Sequence, residues 1–234
     1  MIVDSMTHAE AFSELYADRE NVERWFDHQS DKYRRRALKT TKFPAAWWLE
    51  YTSVRKNRYL ICVVCSRRNY DKNHCLSIVA LRRETRGFTA YLGHICKYEL
   101  VSKTVFLWHV FERYSERAGV DKQGIELIKH FFEAHSGGTI LKNHKLAGKS
   151  VRYKDRDHKF LALNDGVVLG NVENGIFIAR TFITYDMATG KQREVFNNAK
   201  SKTLSVDEEI RYVIKKTIEN TICYEQDGNI QPIG

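Results

Sequence analysis

Two short punctuations constrain the fold of this chain most: Asn164-Asp165-Gly166 and Glu173-Asn174-Gly175, each set between runs rich in β-branched and aromatic residues. An Asn-Gly pair in that setting favours the left-handed backbone of a tight hairpin turn. Lys159–Leu163, Val167–Val172 and Ile176–Tyr185 are therefore expected as three hairpin-linked strands. Tyr59–Ser66, Leu76–Arg82 and Phe88–Cys96 form a second such group, expected as an antiparallel three-stranded meander. The period is helical elsewhere. Residues 5–38 carry Ala9, Phe12, Leu15, Val22, Trp25 and Phe26 at helical spacing. Over 104–118, Leu107, Phe111, Tyr114 and Ala118 make one apolar face, and Gly119 stands where a left-handed helix end is wanted. A second helix is expected over 121–135, capped by Asp121, and a last one over 205–219, where Ser205 and Glu208 form a capping box.

These elements predict an α+β fold. N-terminal helices and an antiparallel meander precede two helices packed on a curved antiparallel sheet, and a C-terminal helix follows. The expected organisation is a helical segment over 1–56, the meander over 57–100, an α+β core over 101–200, and a helix and tail over 201–234. The longest apolar run, Tyr59–Cys65, is too short to span a bilayer. Five cysteines do not suit a secreted disulfide scaffold, and no basic and apolar leader opens the sequence. A cytoplasmic location without membrane association is expected.

Charge speaks to partners. The formal net charge is +9, and a basic chain attracts polyanions, nucleic acid first among them. The cations cluster. Lys32, Arg34, Arg35, Arg36, Lys39 and Lys42 face only Asp31, and Lys142, Lys145, Lys149, Arg152, Lys154, Arg156 and Lys159 face only Asp155 and Asp157. The second cluster, with Arg180, is the expected nucleic-acid-binding surface.

The candidate chemistry lies on the helix over 104–118. His109, Arg113 and Arg117 are spaced i, i+4, i+8, so they stack along one stripe bordering the apolar face. Histidine can exchange a proton near neutral pH, and arginine offers a planar fork that matches two phosphate oxygens. Together they suit metal-independent RNA cleavage. A base takes the 2′-hydroxyl proton, and fixed cations stabilise the crowded phosphorane. The plainer alternative is a solvated helix surface on which Arg113 pairs with Glu116 and His109 with Glu112.

The stretch His109-x3-Arg113-x3-Arg117-x-Gly119, followed by a helix and three hairpin-linked strands, resembles a bacterial domain family of unknown function. That family is similar to the barnase, EndoU, colicin and RelE class of ribonucleases. The resemblance covers residues 104–190. It implies an endoribonuclease needing no cofactor or metal, toxin-like or associated with mobile elements or defence. It further implies RNA as substrate and an acidic protein inhibitor as partner, and the seven cations of 142–159 beside the site would suit a long or ribosomal RNA. Carried over residue by residue, it makes His109 the acid or base, Arg113 and Arg117 the phosphate clamp, and Thr184 a contact from the last strand, with Thr181 as competitor. On a regular strand Thr184 would share a face with Arg180, and Thr181 with Tyr185. Two other readings stand beside it: a non-catalytic nucleic-acid-binding protein and a partner-binding accessory protein.

Two other groupings are weaker. Cys62, Cys65, His74, Cys75, His94 and Cys96 could supply zinc ligands, but Cys62 and Cys65 sit three apart on an expected strand and so point to opposite faces. Trp47-Trp48 is expected to fill a core, and His130 and His135 to offset a helix dipole.

Overall fold

The computed structural model describes residues 1–43, 45–65, 74–96, 99–135, 143–145, 157–190 and 192–198. The chain is an α+β protein. Among the described residues, helices α1 (His8–Lys39), α2 (Trp108–Ala118) and α3 (Gly124–Ala134) pack on a nine-stranded sheet, and residues 192–198 are also helical. The strands are β1 (Ala45–Thr52), β2 (Arg58–Cys65), β3 (His74–Glu84), β4 (Gly87–Cys96), β5 (Glu99–Phe106), β6 (Asn143–Lys145), β7 (Asp157–Ala162), β8 (Gly166–Glu173) and β9 (Ile176–Thr184). Their order is β1-β2-β3-β4-β5-β9-β8-β7-β6. Two antiparallel halves meet at one parallel pair, β5 with β9, whose register runs from Lys103–Ile176 to Phe106–Ala179.

The expected meander is there, but with a further strand on each side. β1 lies in the segment read as helical, and Thr104–Phe106 ends β5 rather than opening a helix. Each has a physical cause. After α1 the run Ala45–Thr52 buries Trp47 and Leu49 on alternate positions, a strand pattern too short to overrule the helical signal before it. In β5 the consecutive residues Thr104, Val105 and Phe106 are all buried, because a mid-sheet strand is covered on both faces, and beside Lys103 they leave no alternation to read. Asp121 caps nothing. α3 begins three residues later, with Gln123 as the preceding residue and Gly124 at φ +55°. At the C-terminal turn of α2, Gly119 takes φ +66° as expected, and Asn174 and Gly175 take the positive φ values of their hairpin. The capping box over Ser205 and Glu208 lies outside the described residues. One does form at the other end of the chain, where Thr7 and Glu10 cap α1 reciprocally.

Helices cover both faces. On one, Phe12, Val22, Phe26 and Tyr33 of α1 pack on Trp47, Tyr59, Ile61 and Tyr91. On the other, Val110, Phe111 and Tyr114 of α2 and Leu127, Phe131 and Phe132 of α3 pack on Leu92, Phe106, Val168, Phe177 and Phe182. Residues 185–190 and 192–198 return beneath β7–β9, with Phe196 edge-on against Phe160. Trp47 and Trp48 both serve as core, on opposite faces of β1, and Trp48 Nε1 donates to Glu133 at 2.5 Å. Cys62 and Cys65 are both buried in β2. No helix among the described residues is long and apolar enough to cross a membrane.

The β8–β9 ladder carries the one irregularity that matters for the site. Thr181 pairs with Leu169 but Ala179 pairs with Gly170, so Arg180 is an extra residue, a β-bulge. The bulge resets the alternation of β9. Phe177 and Ala179 face α2 before it, and Phe182 faces α2 after it. Gly166 is required here for space: a Cβ at that position would stand 2.2 Å from the Ile183 carbonyl oxygen and 2.6 Å from the Phe182 ring.

Candidate functional site

α2 starts two residues after β5 ends and lies along β9. The Leu107 amide donates to the Ala179 carbonyl at 3.1 Å, and the Tyr114 ring meets that of Phe182 edge-on. Beyond Ala179, β9 has no β5 residue beside it. There Arg117 Nη1 donates to the Phe182 carbonyl, fastening the end of α2 to the strand. The seam between α2 and β9 thus exists where the apolar face of α2 predicts it, and Arg117 is its stitch.

His109 and Arg113 complete the stripe outward from that stitch. Both are about one-third exposed. The Nδ1 of His109 lies 2.9 Å from Glu112 Oε2, and its Nε2 accepts from Arg113 Nε at 3.3 Å. Glu112 can only accept and Arg113 can only donate, so the two bonds select one neutral tautomer, with the proton on Nδ1 and a lone pair on Nε2. Arg113 Nη1 also donates to Glu116 at 2.6 Å. Both ion pairs of the plain-surface alternative therefore form. What that alternative lacks is the Arg113–His109 bond, which joins them into a single chain, Glu112–His109–Arg113–Glu116.

The bulge decides the strand face. Thr184 follows the reset alternation onto the Phe182 side, facing α2, whereas Thr181 and Ile183 lie on the other side with Leu169. Arg180 does not share the face of Thr184. Its guanidinium is on the far side of the sheet, where Nε donates to Asn171 Oδ1 at 2.5 Å and Nη2 to Glu173 at 3.1 Å. The extra residue in β9 is the cause. Arg180 and Thr184 do not share a surface, and Arg180 does not join the stripe.

Lys142, Lys149, Arg152, Lys154 and Arg156 lie outside the described residues. Lys145 falls on β6 and Lys159, half-buried, on β7, respectively four and three strand positions from β5. His135 corrects its expected role. It is buried at the end of α3 with Nδ1 accepting from the Asn164 amide at 3.3 Å, against the rings of Tyr114 and Phe131. Burial pushes its pKa down to about 4, so near neutral pH it carries no charge to offset a dipole. Among the described residues no group of three His, Cys, Asp or Glu side chains could hold a metal ion.

The chain matches no known protein family, curated protein or solved structure. The chemistry of this site therefore stands on its own geometry.

Sequence reasoning passed over the residues on the near side of His109. The Trp108 indole meets the His109 ring at 5.2 Å, and Arg86, from the turn between β3 and β4, lies over the Trp108 ring at 5.7 Å. Only the register of β4 against β5 brings that turn to the start of α2, and no spacing along the chain announces it.

Proposed function

We propose that the α2–β9 seam binds the phosphodiester backbone of RNA and cleaves it without a metal by attack of the 2′-hydroxyl. The observation that carries this reading is the Glu112–His109–Arg113 chain, a partly exposed imidazole with its tautomer set on one side and an arginine on the other. In this reading an incoming phosphate draws Arg113 away from Nε2. The freed lone pair takes the 2′-hydroxyl proton, and Glu112 stabilises the imidazolium that results. The 2′-oxygen bonds to phosphorus and the bond to the 5′-oxygen breaks, that oxygen taking up a proton from solvent water while the imidazolium gives its own proton back to solvent. The products are a 2′,3′-cyclic phosphate and a 5′-hydroxyl. Arg113 and the donors of Arg117 not used by Phe182 offset the phosphorane charge, with the Thr184 hydroxyl on the same side of the sheet. The basic run from Lys142 to Lys159 holds the rest of the RNA. Toxin-like, mobile-element or defence use, and control by an acidic protein inhibitor, are what the family resemblance adds.

A second reading is favoured by one observation: Arg113 and Arg117 already have partners, Glu116 and the Phe182 carbonyl. In that reading the protein binds nucleic acid without cutting it, with the exposed cations from Lys32 to Lys42 as a further contact. Purified protein incubated with RNA in EDTA separates the two. Cleavage abolished in both His109→Ala and Arg113→Ala is the result expected of the nuclease. Salt-sensitive binding with intact RNA at every protein concentration would leave only the second reading.

A further inference from the structure

The end of β5 leaves a notch in the sheet. Ala90 pairs with Phe106, so β4 and the Thr85-Arg86 turn project past the last residue of β5. β9 likewise runs on from Ala179 to Thr184. The chain leaves the sheet between them at Leu107 to begin α2. In open sheets, ligand crevices form outside the carboxyl ends of parallel strands where neighbouring connections diverge. β5 and β9 are the parallel pair of this sheet, and a cleft of about 360 Å³ opens beside that end of β5. It is lined by Asp4, Arg82, Glu84, Thr85, Arg86 and Trp108. That volume lies within the ~300–1,000 Å³ usual for small-molecule sites.

The lining has three kinds of group. Arg82 is already committed: Nη2 donates to Glu84 at 2.9 Å and Nη1 to the Met6 carbonyl at 3.3 Å, so it shapes the wall and its charge is balanced. Arg86 is exposed and makes no ion pair among the described residues, so it is the cation open to a ligand. The first turn of α2 beside it has no side-chain cap and no acidic residue, so its partial positive charge adds to that of Arg86. Trp108 offers an indole and Arg86 a guanidinium plane, the two surfaces on which unpaired bases stack. The Asp4 carboxylate and the Thr85 hydroxyl can receive a ribose hydroxyl or a base amino group. A cation for a phosphate, flat surfaces for a ring and an acceptor for a sugar or base together describe a nucleotide.

We propose that this cleft is a subsite for one phosphorylated nucleotide of the RNA chain, neighbouring the phosphate at His109. The identification of RNA as the polymer rests on the function proposed above. The presence of a mononucleotide site does not. Trp108 and His109 are consecutive with their rings in contact, so a nucleotide on Trp108 places an adjoining phosphodiester at the stripe.

The test is equilibrium titration of the full chain with adenosine and uridine 5′-monophosphates and with inorganic phosphate, followed by intrinsic tryptophan fluorescence and by equilibrium dialysis. Saturable binding of a mononucleotide is expected, with inorganic phosphate competing more weakly. Trp108→Phe removes the fluorescence change, while dialysis still reports binding. Arg86→Ala weakens binding at least tenfold with an unchanged melting temperature, since Arg86 lies in an exposed turn. RNA cleavage is measured in parallel. Mononucleotide binding that depends on Arg86, without cleavage, keeps the subsite and removes the nuclease reading. Cleavage without mononucleotide binding up to millimolar concentration, binding indifferent to Arg86→Ala, or a fluorescence change that survives Trp108→Phe overturns the subsite.

Discussion

The two faces of the sheet treat their charged groups in opposite ways. Under α1, Asp18 is fully buried and saturated: it accepts from Ser53 Oγ at 2.5 Å, Tyr59 OH at 2.8 Å, and the side-chain amides of Asn57 and Asn21 at 2.9 Å. Burial acts to raise its carboxyl, but the four donors outweigh it and hold the pKa below the ordinary value. Beside α2, His109 and Arg113 are about one-third exposed, and their bonds are to groups on the same helix. A buried charge is tolerable only when every lone pair is met, so Asp18 is scaffold. A half-exposed chain of charges can trade a neighbour for a ligand at small cost, and such a chain can act.

Replacing the two groups should break this contrast if it is wrong. Asp18→Ala strips the acceptor from three buried donors and is expected to cost about 3–5 kcal/mol, enough to unfold much of the protein. His109→Ala should change stability by no more than about 0.5 kcal/mol. Urea denaturation of both variants measures the difference, and equal costs would erase the distinction.

Acid tests the buried histidine on the α2 side. The folded pKa of His135, about 4, lies below its ordinary value of 6.5. The unfolded chain therefore binds more protons between those values. The stabilisation is complete above pH 6.5 and falls as pH drops towards 4, by roughly 3 kcal/mol at most. In His135→Gln that window should flatten, as chemical denaturation at several pH values would report.

The next effects are smaller and concern β9. Gly166→Ala forces a Cβ against the Ile183 carbonyl and the Phe182 ring and is expected to cost about 1–3 kcal/mol. Arg117→Met, which loses the bond to the Phe182 carbonyl, should cost about 1 kcal/mol, and Arg113→Met less than half of that. Thermal melts rank all three. If Arg113 proves the more stabilising arginine, it is the structural one and the assignment of roles reverses.

Much of this fold was legible in the chain. The Asn174-Gly175 hairpin, the glycine end of α2 and the apolar face that seats it against the sheet all follow from residue type and spacing. The parallel strand β5 was not, because burial on both faces removes the alternation by which a strand is recognised. The separation of Thr184 from Arg180 was not either, since a single extra residue in β9 inverts an argument that counts by twos. For the site, the stripe was legible and its surroundings were not. Spacing places His109, Arg113 and Arg117 together, and their acidic neighbours were equally visible as Glu112 and Glu116. The joining bond from Arg113 to His109 depends on rotamers, and the approach of Arg86 to Trp108 depends on strand register. Neither leaves a mark in the local pattern.

The central claim is that the His109 chain moves a proton for RNA. Its most direct test is mass spectrometry of RNA fragments produced in EDTA by the wild-type protein and by His109→Ala of matched stability. The account predicts 2′,3′-cyclic phosphate ends from the wild type, a rate at least ~100-fold lower from the variant, and no product from a fully 2′-deoxy substrate. Cleavage of the deoxy substrate, or cyclic phosphate ends formed equally fast by His109→Ala, would contradict it.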